Sequence, residues 1–369
     1  MHGNHVIPVS PKPFKSDFKP KAMKANCNLY VRGIVVLSIF SVFTFLVCLI
    51  SENFAQRSIK EIISTATFRH SHSSQAAEIN TQQWDLDIVV AHFKEDLKGL
   101  AKTLEKVQNV TSVRGLRRRI FLYTKNKENN DKRKLRKIAR DLNITQAIYL
   151  PNEGREGGTY LHHIIQNYDN LSPHTLFLQA NPHSPTSMLK TLQNYFYEDT
   201  GVLALGPYGT CECNNCRDIW SDVTWRRIGE MYTMTHESFC PKDILISISA
   251  QMIAHRDHIR STKLKAWKTI YDKLRYGIGM DPKPKWMVTE DITNPFLGHA
   301  LERSWMVLFD CIKPELAKNC KPNEWPKAEP DAAKRKSLRD SCQCIHRKGA
   351  EDDNDKVKKS WIPRGNRYP

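Results

Sequence analysis

The sequence predicts an α/β domain, a mostly parallel sheet covered by helices on both faces in the Rossmann manner, preceded by one transmembrane helix. Two observations carry that prediction. From Asp85 onward, short apolar runs alternate with amphipathic helical patterns, as expected of strands buried on both faces. Ahead of them, GIVVLSIFSVFTFLVCLI at 33–50 contains no charged residue and is long enough to span a bilayer.

The segment 1–32 carries Lys12, Lys15, Lys19, Lys21, Lys24 and Arg32 against Asp17, a basic bias that keeps a tail cytosolic. A cleaved signal peptide would begin nearer Met1 and end in small residues, whereas bulky residues line the exit here. The expectation is a single-pass type II membrane protein with a signal anchor at 33–50. A polar stem at 51–84 then leads to a lumenal domain at 85–320 with a Cys-rich insertion at 206–240. Residues 321–369 are charged, contain Pro322, Pro326, Pro330 and Pro363, and read as a largely disordered tail apart from what Cys342 and Cys344 tie down. A Golgi or other secretory-pathway membrane is the expected address, with the plasma membrane as the alternative.

Within the domain the strands are expected at 88–93 (IVVAHF), 120–123 (IFLY), 147–150 (AIYL) and 175–178 (TLFL). Helices separate them at about 97–107, 132–142 and 156–168, which makes a β-α-β-α-β-α-β run. A helix near 187–197, strands at 202–205 and 244–249, and long helices near 257–276 and 298–311 complete the reading.

The formal charge of +17 is spread over the cytosolic tail, the 321–369 tail, Arg114 to Arg119 and Lys125 to Arg140. Behind a membrane no nucleic acid is expected; such a surface is either a solvated helix face that keeps the domain soluble or one that suits anionic glycans, phosphorylated donors or lipid headgroups. Of the 10 cysteines, Cys27 and Cys48 lie beside or inside the anchor. The eight others, Cys211, Cys213, Cys216, Cys240, Cys311, Cys320, Cys342 and Cys344, form an even set that predicts disulfides; zinc held by the 211–240 cluster is the alternative. Asn109 and Asn143 head glycosylation sequons.

In a parallel sheet the residues just after each strand meet along one edge, where ligands bind. That places His92, Glu95, Asp96, Arg155, Glu156, Gln179, Asn181 and His183 in one crevice. Gly154, Gly157 and Gly158 would let backbone approach a ligand, and Arg155 at a helix start would add donors to the positive end of the helix dipole. His162 and His163, adjacent on a helix, cannot share one face, so one is expected in the core and one outside. No G-x-S-x-G elbow, P-loop or H-E-x-x-H occurs, which leaves hydrolase, NTPase and zincin chemistry without support.

GREGGTYLHHIIQNYDNLSPHTLFL resembles the family called domain of unknown function 3431. The matching positions are Gly154, Glu156, Tyr160, Leu161, Ile164, Ile165, Asn167, Tyr168, Asp169, Leu171, Phe177 and Leu178. Ala250, Gln251, Ile259 and Arg260 are similar to a second block, and Gly298, Glu302, Trp305 and Phe309 to a late one. The family implies no activity. More distantly, the order of elements resembles GT-A-type glycosyltransferases, which implies a nucleotide-sugar donor and a D-x-D pair binding a divalent metal after the later strand. Here Gln179 and Asn181 stand where the two Asp would sit, so a metal cofactor is doubtful. Three alternatives follow: cations such as Arg155 and Arg117 to Arg119 neutralise the diphosphate, His183 and nearby acids supply ligands, or the domain binds a glycan or nucleotide without catalysing. For an inverting transfer, Glu302 is the candidate base.

If the topology holds, an amino-terminal tag is protease-accessible on intact vesicles, the lumenal domain is protected, and glycosidase increases mobility through Asn109 or Asn143. Unchanged mobility together with digestion of the domain in sealed vesicles would reverse the orientation.

Overall fold

The computed structural model describes residues 84–213, 215–217, 223–225, 227–279, 285, 287, 289–320 and 331–346. The basic tail, the anchor at 33–50 and nearly all of the stem lie outside the described residues. Among those described, no helix is long and apolar enough to cross a membrane.

The chain is mixed α/β. Strands β1 (Leu86–His92), β2 (Arg118–Thr124), β3 (Gln146–Tyr149) and β4 (His174–Gln179) are separated by helices α1 (Leu97–Asn109), α2 (Thr111–Arg114), α3 (Lys132–Asp141) and α4 (Arg155–Asn167). Helix α5 (Pro185–Tyr195), β5 (Thr200–Ala204), β6 (Tyr208–Glu212), α6 (Arg227–His236), β7 (Asp243–Ser247) and β8 (Met252–His255) follow. The chain continues through α7 (Arg256–Ser261), α8 (Leu264–Tyr276), α9 (Phe296–Leu308), α10 (Glu315–Asn319), α11 (Ala332–Asp340) and β9 (Cys344–Ile345).

The central sheet has the order β3-β2-β1-β4-β8-β5-β9. Strands β1 to β4 pair in parallel, β8 runs against both β4 and β5, and β9 runs against β5. Strand β5 therefore points the same way as β1 to β4. Because β1 lies between β2 and β4, the chain first winds outward through β2 and β3, then crosses back to β4. That reversal opens a crevice at the carboxyl ends of β1 and β4.

Alternation along β1 explains why both faces are covered. Leu86, Ile88 and Val90 pack with Leu100 and Leu104 of α1, Ile138 of α3, and Met188 and Leu192 of α5. On the opposite face, Val89 and Ala91 join Tyr160 and Ile164 of α4, Trp267 and Leu274 of α8, and Leu301 and Trp305 of α9.

Several elements differ from the sequence reading. The strand expected at 244–249 is β7, and it pairs with β6 in a separate two-stranded sheet. The central sheet is instead extended by β8, whose four residues follow too closely to read as a second strand. The helix expected at 257–276 breaks at Thr262, whose backbone is extended and whose hydroxyl donates to Leu308 O at 2.7 Å. Residues 331–346 of the expected loose tail belong to the fold. Disulfides Cys311–Cys344 and Cys320–Cys342 hold β9 and the end of α11, while Cys211–Cys216 and Cys213–Cys240 close the insertion. The four thiols of the insertion are thus paired as disulfides, the first of the two arrangements expected there, rather than gathered around one zinc ion.

One charge sits inside this sheet. Asp87 on β1 is fully buried and accepts both Arg119 guanidinium donors, at 2.7 and 2.8 Å, together with Ser172 N–H and Ser172 Oγ at 3.0 and 2.8 Å. Asp87→Ala leaves Arg119 without its carboxylate beneath the sheet edge. The expected loss is about 3–5 kcal/mol in denaturant unfolding; a loss under about 1 kcal/mol would show that the pair is not a structural requirement.

Candidate functional site

The crevice at the reversal point is a cavity of ≈ 490 Å³ lined by the carboxyl ends of all four parallel strands. Strand β1 supplies Ala91, His92, Phe93 and Glu95; β2 supplies Lys125; the loop into α4 supplies Asn152, Arg155, Glu156 and Thr159; and β4 supplies Gln179, Asn181 and His183. Thr293 and Asn294 close one side. Seven of the eight residues placed there from sequence therefore do meet.

The eighth does not. Asp96 is exposed and its carboxylate accepts from Gly99 N at 2.8 Å, which makes it the N-cap of α1 rather than a lining residue. Helix position explains the error, because an acidic residue just before an amphipathic run serves a cap as well as a ligand.

His92 is fixed at both nitrogens, Nδ1 against Thr124 Oγ1 at 2.9 Å and Nε2 against Glu95 O at 3.0 Å. Glu95 in turn accepts from Phe93 N at 2.6 Å. These two residues shape the turn after β1.

The loop into α4 is built around a left-handed pair, Gly154 at φ 64° and Arg155 at φ 51°. A Cβ on Gly154 would lie 2.5 Å from Leu274 Cδ2 and would be strained at this φ, so the position favours glycine. Gly157 lies as close to Leu301, and Gly158 to the Glu153 carbonyl. The glycines thus admit helices α8 and α9 and the chain's own backbone; the expected approach of backbone to a ligand is not their role.

Lys125 holds this loop in place. It is buried, and its ammonium donates to the carbonyls of Glu153 and Arg155. Burial lowers its pKa to about 8, against the opposing pull of the Glu156 and Glu153 carboxylates. Sequence reasoning placed Lys125 in a solvated basic run and missed it; its position just past the end of β2 was the available signal. Arg155 Nη1 lies 2.9 Å from His299 Nδ1, and its Nε lies 3.7 Å from Glu156 Oε2. The Thr159 hydroxyl is buried against the cavity with no hydrogen-bond partner among the described residues.

On the far wall, Gln179 ends β4 opposite Ala91. Buried Gln251 grips His183, accepting from its N–H at 2.5 Å and donating to its carbonyl at 3.1 Å. Tyr160 fixes the segment beside Gln251 by donating to Ala250 O at 3.0 Å.

Glu302, on α9, does not line the cavity but stands behind it. Burial raises its pKa, the Glu156 carboxylate raises it further, and Arg303, Arg155 and His183 pull it down. The Arg117 to Arg119 cluster is nowhere near: it begins β2, at the other end of the sheet. Arg117 pairs with Asp85 at 2.9 Å, Arg118 donates to Val113 and Arg114 carbonyls, and Arg119 serves Asp87. These cations cannot neutralise a ligand in the crevice. His163 is buried against Tyr123 Oη at 2.9 Å and His162 is half-buried, as their adjacency required; burial lowers the His163 pKa to about 4.

Many residues of the sequence signature are clamps for this architecture. Besides Tyr160 and Gln251, Tyr168 donates to Arg260 O and Thr262 O at 3.1 and 3.0 Å, and Arg260 returns a bond to Tyr168 O. No curated protein matches the chain. The sequence model of the family described as "protein of unknown function (DUF3431)" matches residues 122–325, more than half of the chain and the span from within β2 through these clamps to α10, and the chain belongs to that family.

Proposed function

We propose that the protein is a membrane-anchored, glycosyltransferase-like enzyme of the secretory pathway, related in design to the GT-A type, that takes a nucleotide-sugar donor in the crevice. The observation that carries this reading is the convergence of two cations, Lys125 and Arg155, with amides Gln179 and Asn181 at the reversal point of a mostly parallel sheet. A diphosphate needs positive charge beside it. Where a carboxylate pair would recruit a metal, neutral amides cannot hold Mg²⁺ or Mn²⁺ comparably, and the two side-chain cations take over that role without one.

In the transfer itself an acceptor hydroxyl attacks the anomeric carbon, the bond from that carbon to the phosphate oxygen breaks, and the nucleoside diphosphate leaves with the electron pair. Glu302, behind the cavity wall, receives the hydroxyl proton through Glu156, which lines the crevice beside it. The raised pKa of Glu302 makes it a stronger base than an exposed glutamate, and Glu156 beside it sustains that shift. Exposed Asn109 and Asn143 are placed to carry glycans, which agrees with a lumenal domain.

The amides also favour a second reading, a non-catalytic domain that binds a nucleotide or glycan. Thermal-shift titration of the full-length protein against uridine and guanosine diphosphate sugars, with Mn²⁺ or with chelator, separates these readings. The proposal expects stabilisation that survives the chelator. Arg155→Ala weakens binding by about 1.5–3 kcal/mol, and Glu302→Gln abolishes donor turnover while leaving donor binding intact. Binding without turnover in the parent would select the binding domain, and no stabilisation by any donor would remove both.

Lys125 adds a pH dependence. Its charge is present below about 8 and lost above it, so nucleoside diphosphate affinity falls as pH rises through that value. Arginines keep their charge over that range. An affinity flat from pH 7 to 9.5 would show that Lys125 contributes no charge to the bound ligand.

A further inference from the structure

At the opposite end of the sheet from the crevice, His174 begins β4 and faces His255 at the end of antiparallel β8. Around that pair the fold gathers side chains that the proposed transfer reaction does not use. His255 Nδ1 and His346 Nε2 each lie 3.5 Å from the same carboxylate oxygen, Asp257 Oδ2. The three ligand atoms lie within 4.8 Å of one another.

We propose that His255, Asp257 and His346 form a binding site for a divalent transition ion of the zinc class. The donor set is two imidazole nitrogens and one carboxylate oxygen, the kind that zinc takes when a further position stays open. A tetrahedral ion with bonds of about 2.0–2.1 Å separates its ligand atoms by about 3.3 Å. The two 3.5 Å spacings to Asp257 need only a small closure to reach that value, while the spacing between the two imidazole nitrogens, within 4.8 Å, closes further as the rings turn. The rings of His255 and His346 stack at 3.8 Å and 18°, so one of them must turn out of the stack before both in-plane lone pairs aim at one ion.

The two arms are fixed independently of any metal. His255 sits on β8 with Nδ1 accepting from Asp257 N at 3.2 Å, a weak bond that coordination through this nitrogen replaces. His346 follows β9, which Cys344–Cys311 ties down, and its own N–H donates to Asp199 O at 2.8 Å. Three further groups surround the site. His174 meets His255 edge-on at 5.1 Å, and His258 Nδ1 is engaged by Phe309 O at 2.9 Å. Arg256 Nε stands 4.0 Å from Asp257 Oδ1, the oxygen on the side away from the histidines.

The Asp257 side chain is 54% exposed, so water can complete the coordination. An ion here would join the corner between β8 and α7 to the last strand of the sheet, 89 residues later in the chain by subtraction of 257 from 346. That location suits a structural clamp on the C-terminal strand. It is independent of the crevice, and neither proposal requires the other.

The test uses untagged full-length protein with its disulfides intact and zinc competed against a chromogenic chelator. One Zn²⁺ per chain is expected, with Co²⁺ giving the visible bands of a four-coordinate site. His346→Gln and Asp257→Asn, both at partly exposed positions, should each weaken zinc binding about tenfold or more. A readout that needs no variant is the thermal midpoint, which Zn²⁺ raises and an equal concentration of Mg²⁺ does not. Absence of stoichiometric zinc, unchanged affinity in both variants, or equal shifts with Zn²⁺ and Mg²⁺ would overturn the proposal.

Discussion

Everything in this fold depends on β1 being buried from Leu86 to His92 while pairing in parallel on both sides. A parallel neighbour cannot be reached by a tight turn, so each must be delivered by a crossover helix, and a strand buried on both faces needs helices on both. Those two demands together produce the layered arrangement and place the chain reversal beside β1. The crevice is therefore a consequence of topology before it is a consequence of any particular side chain. Asp87 shows how strictly the rule is kept: the one carboxylate on β1 is tolerated because Arg119 and Ser172 supply four hydrogen bonds.

The next constraint is the loop into α4. Its left-handed pair is stored strain of the kind that persists only when the surroundings enforce it. Leu274 crowds any side chain at Gly154, and Lys125 draws in the carbonyls on either side of it. The Arg155 guanidinium is consequently presented to the cavity by backbone geometry, with His299 and Glu156 to orient it. Lys125 thus does two things with one ammonium: two of its protons hold the loop, and the residual charge faces whatever enters.

The parallel half was legible because each strand is an uninterrupted apolar run followed by polar residues, a pattern that sets both strand position and which residues meet at the edge. Seven crevice residues were found on that basis alone. The antiparallel half was legible only in part, since β5 and β7 were expected as strands but β6, β8, β9 and the pairing were not. Strand β8 has four residues, separated from β7 by Ile248 to Gln251, and β9 has two, whose place is set by a disulfide rather than by any periodicity. Within the site the errors share one origin. Asp96, Gly157, Gly158 and Arg117 to Arg119 are residue types suited equally to ligands and to caps, close packing or ion pairs. Lys125 was passed over because burial of a lysine leaves no trace in composition.

Charge illustrates the same point at the scale of the molecule. A formal +17 invites a search for polyanions, yet the cations have different fates once the chain is folded. Arg117 and Arg119 are matched by Asp85 and Asp87 at the amino ends of the strands. Helix α3 buries only Ile138 and turns its lysines and arginines outward, where salt screens them and they serve solubility. The crevice gathers Lys125 and Arg155 with His183 beside them, and it sets them against Glu95 and Glu156, with Glu302 behind the wall. That balance is what a ligand meets. A site of nearly even charge with its lysine buried favours a compact anion over an extended one, because only the compact anion reaches the buried ammonium. The net charge of the chain therefore carries little information about its ligand, and the few groups at the carboxyl ends of β1 to β4 carry most of it.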